Sequence, residues 1–165
     1  RAFYETRGWT MRQWLETGIA LDNAVIEGFP GTTFGFHLCR GNQASRWLVA
    51  GGYDAIARPI FRGIRAERLL LEFDDDRSGS FAPLSEVPDD KMVVLGLIST
   101  KRAALETPRT LDRRIREAAR HIALERLAVS PQCGFATSVL GNALGAADQK
   151  RKLELVSETA RLVWG

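Results

Sequence analysis

Apolar residues recur along this chain with two alternating periods. Over residues 10–28, Met11, Trp14, Leu15, Gly18, Leu21 and Val25 fall at helical spacing, and Pro30-Gly31 closes the run. Thr33 to Cys39 reads as a strand, and residues 44–63 as one or two helices broken at Gly51-Gly52. Residues 68–73 form a second strand, the polar stretch 74–88 a loop with one helical turn, and residues 91–98 a third strand. Thr107-Pro108 is a helix start, with threonine as cap and proline at the first helical position. That helix places Leu111, Ile115, Ala119 and Ile122 on one face. A fourth strand spans 126–130, and a last helix, 147–164, turns Leu153, Val156, Ala160 and Val163 inward.

Three of the strands are almost continuously apolar, as parallel strands covered on both sides are. The pattern predicts an α/β fold of four parallel βα units. Such repeats build either an open doubly wound sheet or a closed eight-stranded barrel of about 250 residues. With 165 residues, the chain has room for one domain and for half the strands of a barrel. It starts at Arg1, not at methionine, and reads as the continuation of a longer polypeptide.

Composition narrows the classes. Hydrophobic residues make up 45% and charged residues 26%, a globular balance. The net charge of +3 is small and spread out, so no nucleic-acid partner is expected. No uncharged apolar run approaches the roughly 20 residues of a membrane span, and no signal peptide is visible. Two cysteines, Cys39 and Cys133, exclude a disulfide scaffold and make a reducing cytoplasm the expected compartment. No glycine-rich phosphate loop follows a strand, which argues against a nucleotide-binding domain.

Candidate chemistry gathers where strands end. Alternation puts Gly35, His37 and Cys39 on one face of the first strand, at its carboxyl end, where α/β folds build their sites. An imidazole and a thiol two residues apart can grip a zinc ion. Taken alone, the pair reads more simply as a buried histidine and a small buried hydrophobe. Glu72 ends the second strand after three leucines. Burial forces it to meet a metal, a donor or a cation such as Arg68 or Arg77. Cys133 lies just past the fourth strand. Both cysteines, one of two histidines and a buried-strand glutamate thus converge on one rim, and together they make a four-ligand zinc set. Asp74, two residues after Glu72, is a candidate to support the ligands from outside or to bind substrate, and Arg40 and Asn42 are candidates to clamp a carboxylate. Asp75 and Asp76 read as solvated loop, His121 as a solvated helix-end residue, and the four tryptophans as helix packing.

These stretches resemble the cobalamin-independent methionine synthase family. They are His37-Leu-Cys39-Arg-Gly-Asn42, Leu71-Glu72-Phe-Asp-Asp-Asp-Arg77-Ser-Gly79, Val94-Leu-Gly-Leu-Ile-Ser-Thr-Lys101 and Leu127-Ala-Val-Ser-Pro-Gln-Cys133-Gly-Phe135. The closing segments Lys152 to Val156 and Arg161 to Gly165 resemble the family's last helix. The likeness covers nearly the whole chain and is greatest to the short, single-barrel branch. It implies a zinc-dependent methyl transfer to a small thiol such as homocysteine. It places His37, Cys39, Glu72 and Cys133 at the zinc ligands, and makes residues 1–165 a single partial domain, strands five to eight of a TIM (β/α)8 barrel. The carboxylate, a hard oxygen donor, is the ligand expected to yield to an incoming sulfur. In the family the other half supplies much of the amino-acid and methyl-donor binding.

One departure stands out. Folate-dependent members carry a histidine at the end of the seventh strand, where this chain reads Leu97-Ile98-Ser99-Thr100-Lys101. That leaves room for another methyl or alkyl donor. The other readings are an alkyltransferase using another donor or thiol, and a non-catalytic zinc-binding remnant. Four βα units alone expose two sheet edges and an inner face, so the expected partners are the missing amino-terminal half or a second copy.

Overall fold

The computed structural model describes residues 5–165. Its four strands are β1 (Gly35–Leu38), β2 (Arg68–Glu72), β3 (Met92–Ile98) and β4 (Leu127–Pro131). All pair in parallel, in the order β1-β2-β3-β4. The helix α1 (Met11–Ile26) precedes β1, α2 (Ala57–Gly63) joins β1 to β2, α3 (Pro108–Ala118) joins β3 to β4, and α4 (Ala146–Trp164) follows β4. Between β2 and β3 the chain makes two 3-10 turns, Asp76–Ser78 and Ala82–Glu86, instead of an α-helix.

The strand order decides the architecture. Crossovers between parallel strands are right-handed. When strands add in sequence in one direction, every crossover lands on the same side of the sheet. A doubly wound sheet needs a reversal of order, and none occurs here. The sheet is therefore a sector of a barrel, four units of an eight-unit ring.

Strand alternation gives this sector two unlike faces. Leu69, Leu71, Phe73, Val93, Leu95, Leu97 and Leu127 are buried on one side, in a single core with Ile60, Phe61 and Ile64 around α2, Leu111, Ile115 and Ala118 of α3, and Leu155 of α4. The register His37–Leu70–Val94–Ala128 runs across the other side, where His37 is exposed and its three partners are only half-buried. The strands form the expected parallel sheet, but among the described residues helices cover one face and not both, as the inner face of a barrel sector requires. No described helix is long and apolar enough to cross a membrane.

Local chemistry sets the element ends. Thr10 caps α1 reciprocally with Gln13, and Thr107 caps α3 through the Thr110 amide, with Pro108 leading the helix. Four expectations are corrected. Residues 44–56 are not helical: Ala44 and Ser45 take positive φ values of 49° and 66°, and Trp47, Leu48 and Val49 are exposed. The third helix stops at Ala118, although Ile122 still joins the core. The last helix is rotated from its expected face. Lys152, Leu155 and Thr159 are the buried positions, Val156, Ala160 and Val163 are half-buried, and Leu153 is 45% exposed. The reason is Lys152, whose Nζ donates to Ala104 O (2.8 Å) and Glu106 Oε2 (3.1 Å). Burying its stem with the ammonium satisfied turns that side of the helix inward. The tryptophans also differ from expectation. Trp14 is half-buried on α1, while Trp9, Trp47 and Trp164 are exposed.

Candidate metal centre

Parallel strands end at one rim, and the four candidate ligands stand there. His37 belongs to β1 and Cys39 follows it; Glu72 closes β2; Cys133 lies two residues past β4. One ligand atom from each lies within 4.8 Å of the others. The two sulfurs are 3.6 Å apart, and both cysteines are free thiols. Two sulfurs each about 2.3 Å from one tetrahedral ion lie about 3.8 Å from each other. The spacing and the donor set of one nitrogen, two sulfurs and one oxygen both fit zinc.

The carboxylate is the most firmly held of the four. Glu72 is 0% exposed. Its Oε1 accepts from Gln132 Nε2 (2.9 Å) and its Oε2 from the Arg40 amide (3.1 Å), with Arg40 Nη1 at 3.9 Å. Gln132 is fixed in turn, since its Oε1 accepts from the Thr100 amide (3.2 Å) and hydroxyl (2.9 Å). Gly96 lets these strands close in: the pairing of β3 and β4 shifts between Gly96 and Ile98, and a Cβ at Gly96 would lie 2.8 Å from Gln132 Cα.

Tyr53 fastens the same corner from the loop. Its hydroxyl accepts from the Glu72 amide (2.9 Å) and from Arg40 Nη1 (2.7 Å), and donates to Leu38 O (3.1 Å). Burial pushes its phenol up to about 12, so it remains a neutral donor. Gly41, at φ 92°, turns its amide onto Cys39 Sγ at 3.1 Å.

The two thiols are inequivalent. Burial pushes Cys39 up to about 12. Burial also raises Cys133, but hydrogen bonds to His37 and Cys39 outweigh it and bring that thiol below its ordinary value. The same contact with Cys133 raises His37 against its partial burial. Such groups titrate as a unit. Beside them a concavity of about 390 Å³, lined by His37, Leu70, Gly96, Ser130, Cys133 and Phe135, opens on the uncovered face.

The remaining predicted residues divide by what their polar atoms already do. Arg40 is buried and committed: Nε donates to Gly51 O (2.9 Å) and Nη1 to Glu72 O (2.9 Å) as well as to Tyr53. Asn42 donates to Thr100 Oγ1 (3.0 Å) and Gly134 O (2.7 Å), and its Oδ1 has no partner among the described residues. Asp74 pairs with Arg77 through Oδ1 (2.9 Å), and its Oδ2 is likewise unpartnered. The guanidinium beside Glu72 is therefore that of Arg40, not of Arg68 or Arg77. His121 and Asp76 are exposed, and the half-buried Asp75 accepts from the Arg77 amide. Gln132, Tyr53 and Thr100 were not singled out from sequence. Gln132 alone carried a signal, as the neighbour of Cys133.

Comparison with known proteins agrees with this construction. The family model described as "Cobalamin-independent synthase, Catalytic domain" matches residues 51–153, more than half of the chain. The uncharacterized proteins YxjH and YxjG of Bacillus subtilis (strain 168) are 46% identical over 145 residues and 44% identical over 146 residues. These matches cover 87% and 88% of this chain but 38% and 39% of those proteins, so the chain spans about two fifths of their length. A B12-independent methionine synthase from a Shewanella species, solved with selenomethionine, superposes with a TM-score of 0.74 at 19% identity, over 90% of this chain and 43% of that one. A Listeria monocytogenes protein assigned as a vitamin-B12-independent methionine synthase gives a TM-score of 0.69 at 25% identity, over 96% and 43%. With half the strands of a barrel, a matching catalytic-domain model and the neighbours' architecture all in agreement, the chain belongs to the cobalamin-independent methionine synthase family.

Proposed function

We propose that this chain carries the zinc-binding part of a site that transfers a methyl group to a small thiol such as homocysteine, with His37, Cys39, Glu72 and Cys133 as ligands. The observation that carries this reading is the convergence of those four side chains within 4.8 Å at the rim of a family-matched barrel sector. Bound zinc supplies one thing: it keeps a substrate thiol deprotonated and in place at neutral pH.

The chain's own groups do the rest. Cys39, Cys133 and Glu72 would hold the ion with two thiolates and a carboxylate, a negative donor set that would preserve the nucleophilicity of a guest sulfur. Gln132 and the Arg40 amide hold the Glu72 carboxylate at both oxygens, as outer partners of metal ligands do. Arg40 thereby acts as a positioning residue. Asp74 Oδ2 and Asn42 Oδ1 are buried acceptors without a partner among the described residues, and suit a donor such as a substrate ammonium. Two free thiols in the ligand set fit the reducing cytoplasm.

The remainder of the barrel, from a preceding half or a second copy, would close the uncovered face and hold the donor. The absence of histidine from Leu97–Lys101 favours a donor other than folate, and with it the broader alkyltransferase reading. The test is methionine formation from homocysteine by the zinc-loaded protein, alone and with the complementary half barrel, using a methylated folate and a sulfonium as donors. Turnover that disappears in Cys39→Ser is the expected result. Stoichiometric zinc without turnover in either setting would replace this reading with a non-catalytic zinc protein.

A further inference from the structure

The chain buries three lysine ammonium groups and treats one differently. Lys91 Nζ donates to Ala66 O at 2.8 Å, and Lys152 Nζ to Ala104 O and Glu106 Oε2. Lys101 is half-buried, and its Nζ is shielded yet has no hydrogen-bond partner among the described residues. An ammonium carries three donors and no acceptor, and leaving it buried and unpaired is costly. Burial lowers the Lys101 pKa, while the negative charges of Glu72, Asp74 and Cys133 pull it back up and Arg77 opposes them. The lysine thus lies within the field of the metal centre.

Its backbone is anchored to that centre. Lys101 follows Thr100, whose amide and hydroxyl hold Gln132, which in turn holds Glu72. The Lys101 amide donates to Ser99 Oγ at 3.3 Å. Asp74 Oδ2 and Ser78 Oγ, past the end of the adjacent strand β2, are also buried and unpartnered.

Building on the functional reading above, we propose that Lys101 is an anion-binding subsite beside the metal ligands, taking a carboxylate-class group carried by the thiol acceptor or by the donor. The zinc-loaded protein binds 3-mercaptopropionate about tenfold or more tighter than 1-propanethiol, as one charge-assisted hydrogen bond provides. Lys101→Met retains zinc and brings that ratio to about one. An unchanged ratio in Lys101→Met overturns the subsite.

A second measurement does not need the thiol to bind. Acetylation of Lys101 by acetic anhydride, read by peptide mass spectrometry, is slowed by the occupying anion. Protection by propionate with 1-propanethiol already bound assigns the anion to the donor. Protection by 3-mercaptopropionate alone assigns it to the thiol. No protection by either overturns the proposal, and a carboxylate reaching Lys101 from a preceding segment would give that result. If neither thiol binds the zinc-loaded protein, the methyl-transfer reading fails, and protection by propionate still decides Lys101.

Discussion

The two faces of the sheet use the same strands for opposite purposes. On the helix-covered face, Leu69, Leu71, Phe73, Val93, Leu95 and Leu97 are buried almost completely in one apolar core. On the other face, His37 is exposed and Leu70, Val94 and Ala128 are half-buried, and toward the rim the same face carries Cys39 and the buried Glu72. One face stabilises the fold; the other delivers reactive groups to one edge. A single residue of slip in any strand would exchange the two roles.

The sharpest way to break this division is to remove a ligand. Cys39→Ser or Cys133→Ser is expected to abolish stoichiometric zinc by metal analysis, a loss beyond the roughly 10–100-fold that removal of an outer partner costs. Full zinc in both variants would end the assignment of the rim as a metal site. On the covered face, Phe73→Ala should cost about 3–5 kcal/mol in urea unfolding and leave the ligands themselves in place. Gln132→Leu should reduce zinc affinity by about 10–100-fold, read by chelator competition, with stability changing less than in Phe73→Ala. Smallest is Val94→Ala on the uncovered face, expected to cost about 1 kcal/mol or less. Equal losses for Val94→Ala and Phe73→Ala would show that the second face is packed as tightly as the first.

Much of this division was legible in the sequence. The strands are short apolar runs between breakers, and their ends fell within about two residues of the reading. Cysteine, histidine and strand-end glutamate are rare enough here for their placement to carry information, and the family resemblance pointed to the same four. What escaped was decided at a distance. Lys152 is absent from the expected inward face of the last helix because its partners, Ala104 O and Glu106, are more than forty residues away. Residues 44–63 read as one or two helices, but only Ala57–Gly63 is helical, and Ala44 and Ser45 take positive φ values that no helix contains. Tyr53 and Gln132 carry common groups whose role appears only once Glu72 lies between them. Arg40 was expected to face substrate, and its donors instead go to Gly51, Tyr53 and Glu72.

Glu106 links parts of the molecule that are far apart in the chain. One oxygen accepts from the Ser99 amide at 3.0 Å, and the other takes the Lys152 ammonium of α4. A single carboxylate is thus a strut from the terminal helix to the backbone that leads into Thr100 and Lys101. Displacing α4 would therefore be felt at the rim where the four candidate ligands stand, although none of them belongs to that helix.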